Sequence, residues 1–356
     1  MSFDLGIFAP YTKQLISGFR MTIFLWIAGG LLAMAVGFVI ALLQMVGGRV
    51  IGAVIRAYVE LMRGTPLLAQ LFLLYFGGPA IGITGGHGDI NNFSPTVRVM
   101  MYPEERDFAI ADGVDQIRHT IRAQVKYGVD VIKIMSTGGV LSKGDQPGAP
   151  QYTLEEVKAA VDEAHMAGRK IASHAHGAVG IKNAIVAGVD SVEHASLVDD
   201  EGIRLAKEHG TYFVMDIYND DYILGKAIDF GLPQENVDKE RALGRLQREN
   251  FEKAFKAGVK MAFGTDAGVY PHGDNAKQFY YMVKYGMSPA QAIKAATVNA
   301  ADLLGRAKDV GTIESGKYAD IIAVTGDPLQ DVRALETIDF VMKGGTVYKQ
   351  GGKALP

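Results

Sequence analysis

The chain has 356 residues, enough for one large barrel or two ordinary domains. Its net charge of −3 does not suggest a polyanion partner, so no nucleic acid is expected to bind. With no cysteine, disulfides, thiolate metal sites and cysteine nucleophiles are excluded too.

Composition changes sharply near residue 83. Residues 21–48 carry no charged side chain, and residues 64–83, GTPLLAQLFLLYFGGPAIGI, form a second uncharged run. The first run exceeds the roughly 20 residues that cross a bilayer. These runs predict an apolar helical hairpin over 1–83. Its loop holds Arg49, Arg56 and Arg63 against Glu60, so it is expected on the cytoplasmic side, with everything after the hairpin on the opposite side. A membrane is therefore a candidate partner. Packing of the hairpin on a soluble domain is the alternative. AYVELMRGTPLLAQLFLLYFGGPAIGI and the preceding SGFRMTIFLWIAGGLLAMAVGFVIALL resemble the front of polar amino-acid ABC-transporter permeases. The later helices of such a permease have no counterpart here, so no transport activity is expected.

From Thr84 the pattern is that of a soluble α/β protein. Helices are expected at 112–127, 153–167, 177–187, 199–209, 233–257, 274–286 and 288–305. Strands are expected at 129–135, 169–175, 190–194, 211–218 and 259–266. Strand–helix alternation with short Gly-containing connections predicts a parallel sheet or barrel. The helix at 153–167 carries its own start and stop signals, with Thr153 as N-cap, Glu156 three residues on and Gly168 at its end. Residues 309–354 read as short strands between Gly and Asp turns, a small sheet beside the barrel. The expected units are thus 1–83, 84–308 and 309–356.

Several apolar runs end in residues suited to metal chemistry: VDVIKIM with Lys133, KIASHAH with His174 and His176, SVEH with His194, and KMAFGTD with Asp266. A parallel barrel brings the C-terminal ends of its strands to one face, so these side chains would converge. The His174/His176 pair alternates onto one side of its strand, and neutral imidazoles suit zinc. Glu193, between alternating neighbours, is expected to point away from the pocket. His119, His165 and His209 fall on expected helices or their ends and read as surface residues.

TGGHGD (84–89), VIKIMSTGG (131–139), ASHAHG (172–177), SVEHAS (191–196), FGTDAG (263–268) and GTIESGKYADIIAVTGDP (311–328) resemble the metal-dependent amidohydrolase superfamily. They are most similar to imidazolonepropionase-like peptidases, a group that includes Xaa-Pro dipeptidases and arginine/lysine carboxypeptidases. The resemblance implies an α/β fold: a (β/α)8 TIM-like barrel of amidohydrolase type with a small C-terminal β-sheet. It implies one or two zinc ions, with Lys133 carboxylated and bridging, and His174, His194 and Asp266 as further ligands. Asp266 and His176 would be catalytic, Asp266 taking the proton of the attacking water. His87, Asp89, Tyr218 and His272 would contact the substrate, a small peptide or N-acyl amino acid. Oligomerisation is left open.

The sequence departs from the family at one point. The His-x-His expected at the end of the first barrel strand is absent, since residues 1–86 contain no histidine and only Asp4 and Glu60 as acids. The expected barrel is therefore incomplete, lacking its first strands. Three functions follow: a metal-dependent amidohydrolase, a fusion of permease and hydrolase fragments without working chemistry, or a membrane transport accessory protein.

Overall fold

The computed structural model describes residues 80–89, 109–226 and 232–355. All lie in the second of two compact units, Phe76–Pro356. The run at 21–48, and 64–83 up to residue 79, fall outside the described residues. Among the described residues, no helix is long and apolar enough to cross a membrane.

The main sheet is parallel, in the order β1 (Val131–Met135), β2 (Lys170–Ala175), β3 (Ser191–His194) and β4 (Tyr212–Val214). Isolated bridges extend it on both sides. Ile81 pairs with Ile134 and Gly82 with Ile110, while Phe213 pairs with Met261. The end of the second apolar run is therefore sheet rather than membrane helix. The Ile81 N–H donates to Lys133 O at 2.8 Å, its carbonyl accepts from Met135 N, and its side chain is fully buried.

Helices α1 (Val114–Lys126), α2 (Leu154–Met166), α3 (Ala178–Ala187) and α4 (Asp200–His209) alternate with the strands as expected. The α2 capping box is present. Thr153 Oγ1 accepts from Glu156 N at 3.3 Å and Glu156 Oε2 accepts from Thr153 N at 2.9 Å. Asp199 caps α4 by accepting from Gly202 N at 2.8 Å. Ile117, Ile121, Val157, Val161, Ile181 and Ile185 on these helices cover Ile132, Ile134, Ile171, Val192 and Phe213 of the sheet. Each such side chain taken from water contributes about 1.5–3 kcal/mol.

Beyond β4 come α5 (Asn219–Lys226) and the long α6 (Gln234–Ala257), then α7 (Lys277–Lys284), α8 (Pro289–Lys294), a π turn over Ala295–Asn299, and α9 (Ala300–Leu303). The strand expected at 259–266 is reduced to the bridge at Met261. Its backbone leaves β4 early: Ala262 N still donates to Phe213 O, but Phe263 N donates to Ala295 O at 3.1 Å. The C-terminal antiparallel sheet of β5 (Ile321–Val324), β6 (Ile338–Lys343), β7 (Thr346–Gln350) and β8 (Lys353–Ala354) is the small sheet expected from the sequence.

Candidate metal centre

Strand register decides which side chains share the pocket face. His174 pairs with Glu193, and Lys133 with Ala172. Paired residues in a parallel sheet point the same way, so Lys133, His174 and Glu193 lie on one face. This corrects the expectation for Glu193. Its carboxylate accepts from Ser191 Oγ at 2.6 Å and stands 4.0 Å from Lys133 Nζ. By alternation His194 would join Val192 on the helix side. It does not, because His194 and Ala195 adopt φ of 65° and 46°. Together with Asp266 at 51°, these are the positive-φ non-glycine residues among those described. Such conformations cost about 1–3 kcal/mol each and persist where surroundings impose them. Here they turn two site residues toward a common point.

The His174, His176 and His194 rings stand 4.6–4.7 Å apart, centroid to centroid. Their candidate ligand atoms all lie within 4.8 Å of one another, as do those of His194, Asp216 and Asp266. Each ring has one nitrogen engaged. His174 Nε2 donates to Gly138 O at 3.2 Å, His176 Nδ1 meets Ser196 Oγ at 2.8 Å, and His194 Nδ1 donates to Asp216 Oδ1 at 2.8 Å. The other nitrogen of each ring is left for a ligand. Burial, then neighbouring imidazoles, holds the pKa values of His174 and His176 well below the usual histidine value. Both are therefore neutral, the form that ligates. At His194 burial pulls down, but the Asp216 carboxylate outweighs it and the pKa is raised.

Asp216 is a member of this cluster that the sequence did not reveal. Burial favours its neutral form, yet His194, by charge and hydrogen bond, holds it well below the usual carboxylate range. Asn219 Nδ2 also donates to it, and Gln247 Nε2 does so at 2.9 Å. A carboxylate behind a ligating imidazole fixes its tautomer and aim. The available signal was its position in YFVMDIY, at the C-terminal end of an expected strand. Asp266 keeps an exposed edge at the mouth. Burial of its carboxyl group, helped by Asp216 and opposed by His194 and Lys133, leaves its pKa raised.

The cleft has a volume of about 80 Å³, and His87, His174, His176, His194, Asp216 and Asp266 are among its lining residues. His87 packs its ring 4.2 Å from that of His174. Its Nδ1 meets Ser142 Oγ at 2.9 Å; that hydroxyl donates to Asp145, which pairs with Lys239 of α6 at 3.1 Å. Burial lowers its pKa to about 4. A Cβ on Gly139 would stand 2.3 Å from this ring, which explains the second glycine of STGG. Lys133 shares the pocket-side face but is not part of the lining. Asp89 accepts from Gly85 N at 2.6 Å and braces its own loop. Tyr218 meets Tyr270 edge to face, with ring centroids 4.8 Å apart. His272 lines a separate cleft beside the C-terminal sheet. A second residue missed by sequence is Glu240 of α6, buried in the lining, where burial and then Asp220 and Asp216 raise its carboxyl to about 8.

The amidohydrolase family model matches residues 51–349. This chain belongs to that family. The match takes in residues 51–83, so part of the permease-like stretch falls inside it. The chain is 37% identical over 294 residues to ochratoxinase from Aspergillus niger, covering 78% of this chain and 60% of that relative. Among solved structures it is similar to a Xaa-Pro dipeptidase with methionine in its active site, at 43% identity and TM-score 0.70 over 76% of this chain and 66% of that one. It is likewise similar to a prolidase complexed with N-methylphosphonate-L-proline, at 31% identity and TM-score 0.70 over 77% and 68%. The chain thus spans about 60% of the length of the curated relative it matches.

Proposed function

We propose that this chain hydrolyses an amide or peptide bond in a small peptide or N-acyl amino acid, using one or two zinc ions. The observation that carries this reading is the trio of imidazoles, each with one ring nitrogen engaged and all offering ligand atoms within 4.8 Å. The donor set fits zinc, which accepts neutral imidazole and carboxylate. His174, His194 and Asp266 would hold the ion, with His176 beside them. Lys133, once carboxylated, would offer two oxygens in place of an ammonium and could bridge to a second ion. Zinc in such a site supplies Lewis acidity and lowers the pKa of water.

The chain's own residues do the rest. Asp266, at the mouth of the cleft, takes the proton of the attacking water and passes it to the leaving amine. Asp216 keeps the His194 ring in place. His87, neutral at physiological pH, offers a hydrogen bond rather than a charge to the substrate. Tyr218 is a further substrate contact. His176 is held by Ser196 at the floor of the cleft, next to the reacting atoms.

The test is elemental analysis of purified protein followed by hydrolysis of a panel of Xaa-Pro dipeptides and N-acyl amino acids. Bound zinc together with turnover supports the reading, and intact-mass detection of one added carbon dioxide supports carboxylated Lys133. Protein that binds no zinc and hydrolyses nothing overturns it in favour of joined fragments without chemistry.

A further inference from the structure

Glu240 has no part in the reading above, yet it is the most unusual acid in the cleft wall. It is 5% exposed, lines the same cleft as the histidine cluster, and makes no hydrogen bond or ion pair among the described residues. Its carboxyl oxygens are not sealed in the core but belong to the cleft lining, where a ligand can reach them. Several of its polar neighbours are already engaged, although Asn219 Oδ1 is itself buried without a hydrogen-bond partner. Asp220 pairs with Arg248 at 3.0 Å, and Gln247 donates to Asp216 at 2.9 Å, with Asn219 on the same carboxylate.

We propose that Glu240 is a specificity-determining residue that receives the free amino group of the substrate's N-terminal residue, so that the chain prefers unblocked peptides to N-acyl amino acids. This rests on the hydrolytic function proposed above. In a dipeptide the amino group sits on the carbon beside the scissile carbonyl. A carbonyl placed at the histidine and aspartate cluster therefore brings the amine to the wall of that same cleft, where Glu240 lies. An ammonium donates several N–H bonds to a carboxyl group that has no partner, and its positive charge offsets the neighbouring Asp220 and Asp216 that otherwise keep the proton on Glu240. An N-acyl amino acid carries no amine beside its scissile carbonyl, so it leaves the Glu240 carboxyl without that partner.

The test compares L-alanyl-L-proline with propionyl-L-proline, which differs only by lacking the amine, on the zinc-loaded full chain and on Glu240→Gln. Both kcat/KM and calorimetric Kd are measured, with thermal melting to verify folding. The dipeptide is expected to be favoured by about tenfold or more, as for a site built around a polar group that the analogue lacks. Glu240→Gln should bring that ratio toward unity, and Glu240→Asp should restore part of it. Equal treatment of the two ligands by the wild-type chain, or an equal loss on both in Glu240→Gln, overturns the assignment. If neither is hydrolysed, the hydrolytic reading fails for these substrates while the Kd pair still decides Glu240. Failure to bind either compound counts against it. If Glu240→Gln does not fold, the wild-type ratio and Glu240→Asp carry the decision.

Discussion

On the helix side of the β1–β4 sheet, Ile132, Ile134, Ile171, Val192 and Phe213 are each at most 1% exposed, whereas on the pocket side Val131 is 43% exposed and the Lys133 side chain 30%. The first face is a mainly apolar layer under α1–α4, broken by Ser173, whose hydroxyl is satisfied by Ser136 Oγ at 2.6 Å. The second mixes His174, Glu193 and Lys133, and its outlet carries the positive-φ residues. One face supplies stability and the other accepts strain, buried charge and unfilled hydrogen-bonding capacity. Substitutions on the two faces should therefore separate stability from chemistry.

The largest effect is expected on the strained side. Asp266→Asn keeps the shape and removes the proton acceptor. It should lower kcat/KM by about 10²–10⁴, or about 3–5 kcal/mol of barrier, with little change in melting temperature. Zinc content of the same preparation separates loss of a base from loss of a ligand. An active Asp266→Asn enzyme would break the comparison at its centre. On the opposite face, Ile171→Ala opens a cavity in the core layer and should cost about 2–5 kcal/mol of stability by urea unfolding. Its zinc affinity should stay within about threefold of wild type, since distant sites are nearly independent.

The apolar face was the legible one. Alternation, glycine stops and the Thr153 capping box located β1–β3 and α1–α4 to within about two residues, because local rules and burial agree there. The pocket face was legible by motif at Lys133, His174, His176, His194 and Asp266, and at His87, and obscure at Glu193, Asp216 and Glu240. Glu193 was placed outward because alternation was counted from His194, whose backbone breaks alternation. Asp216 lay beyond the end of β4 inside an apolar run. Glu240 sits on a 24-residue helix rich in charge, where a solvated face is the ordinary reading. The strand at 259–266 failed because its amides turn to the π turn, with Asn299 Nδ2 donating to Met261 O at 2.8 Å.

Asp216 lies between the two regimes: it is buried in the cleft lining and holds the His194 ring by a 2.8 Å hydrogen bond. Asp216→Asn should weaken zinc binding by about 10–100-fold, close to 1.4–2.7 kcal/mol, as for carboxylates behind ligating histidines. Competition with a chromophoric chelator measures it. Unchanged affinity would mean that His194 is held by its backbone alone.

The smallest effect tests the other end of the sheet, far from the pocket. Asp190 precedes β3 and ties two strands together, accepting from Ile171 N at 2.9 Å, Lys170 Nζ at 2.6 Å and His165 Nε2 at 2.9 Å. Burial would raise its pKa, but these donors outweigh burial and leave it lowered. A carboxyl whose pKa is lower folded than unfolded stabilises the fold above its unfolded value of about 4, and the contribution is lost as pH falls through the folded value. Asp190→Asn should therefore cost about 1 kcal/mol at neutral pH, on the scale of one hydrogen bond. That deficit relative to wild type should shrink as urea unfolding is repeated at successively lower pH. A deficit independent of pH would show that Asp190 acts through shape alone. Loss of zinc affinity in the same variant would show that strain at the sheet's outlet is propped from its opposite end, and the separation of the two roles would then fail.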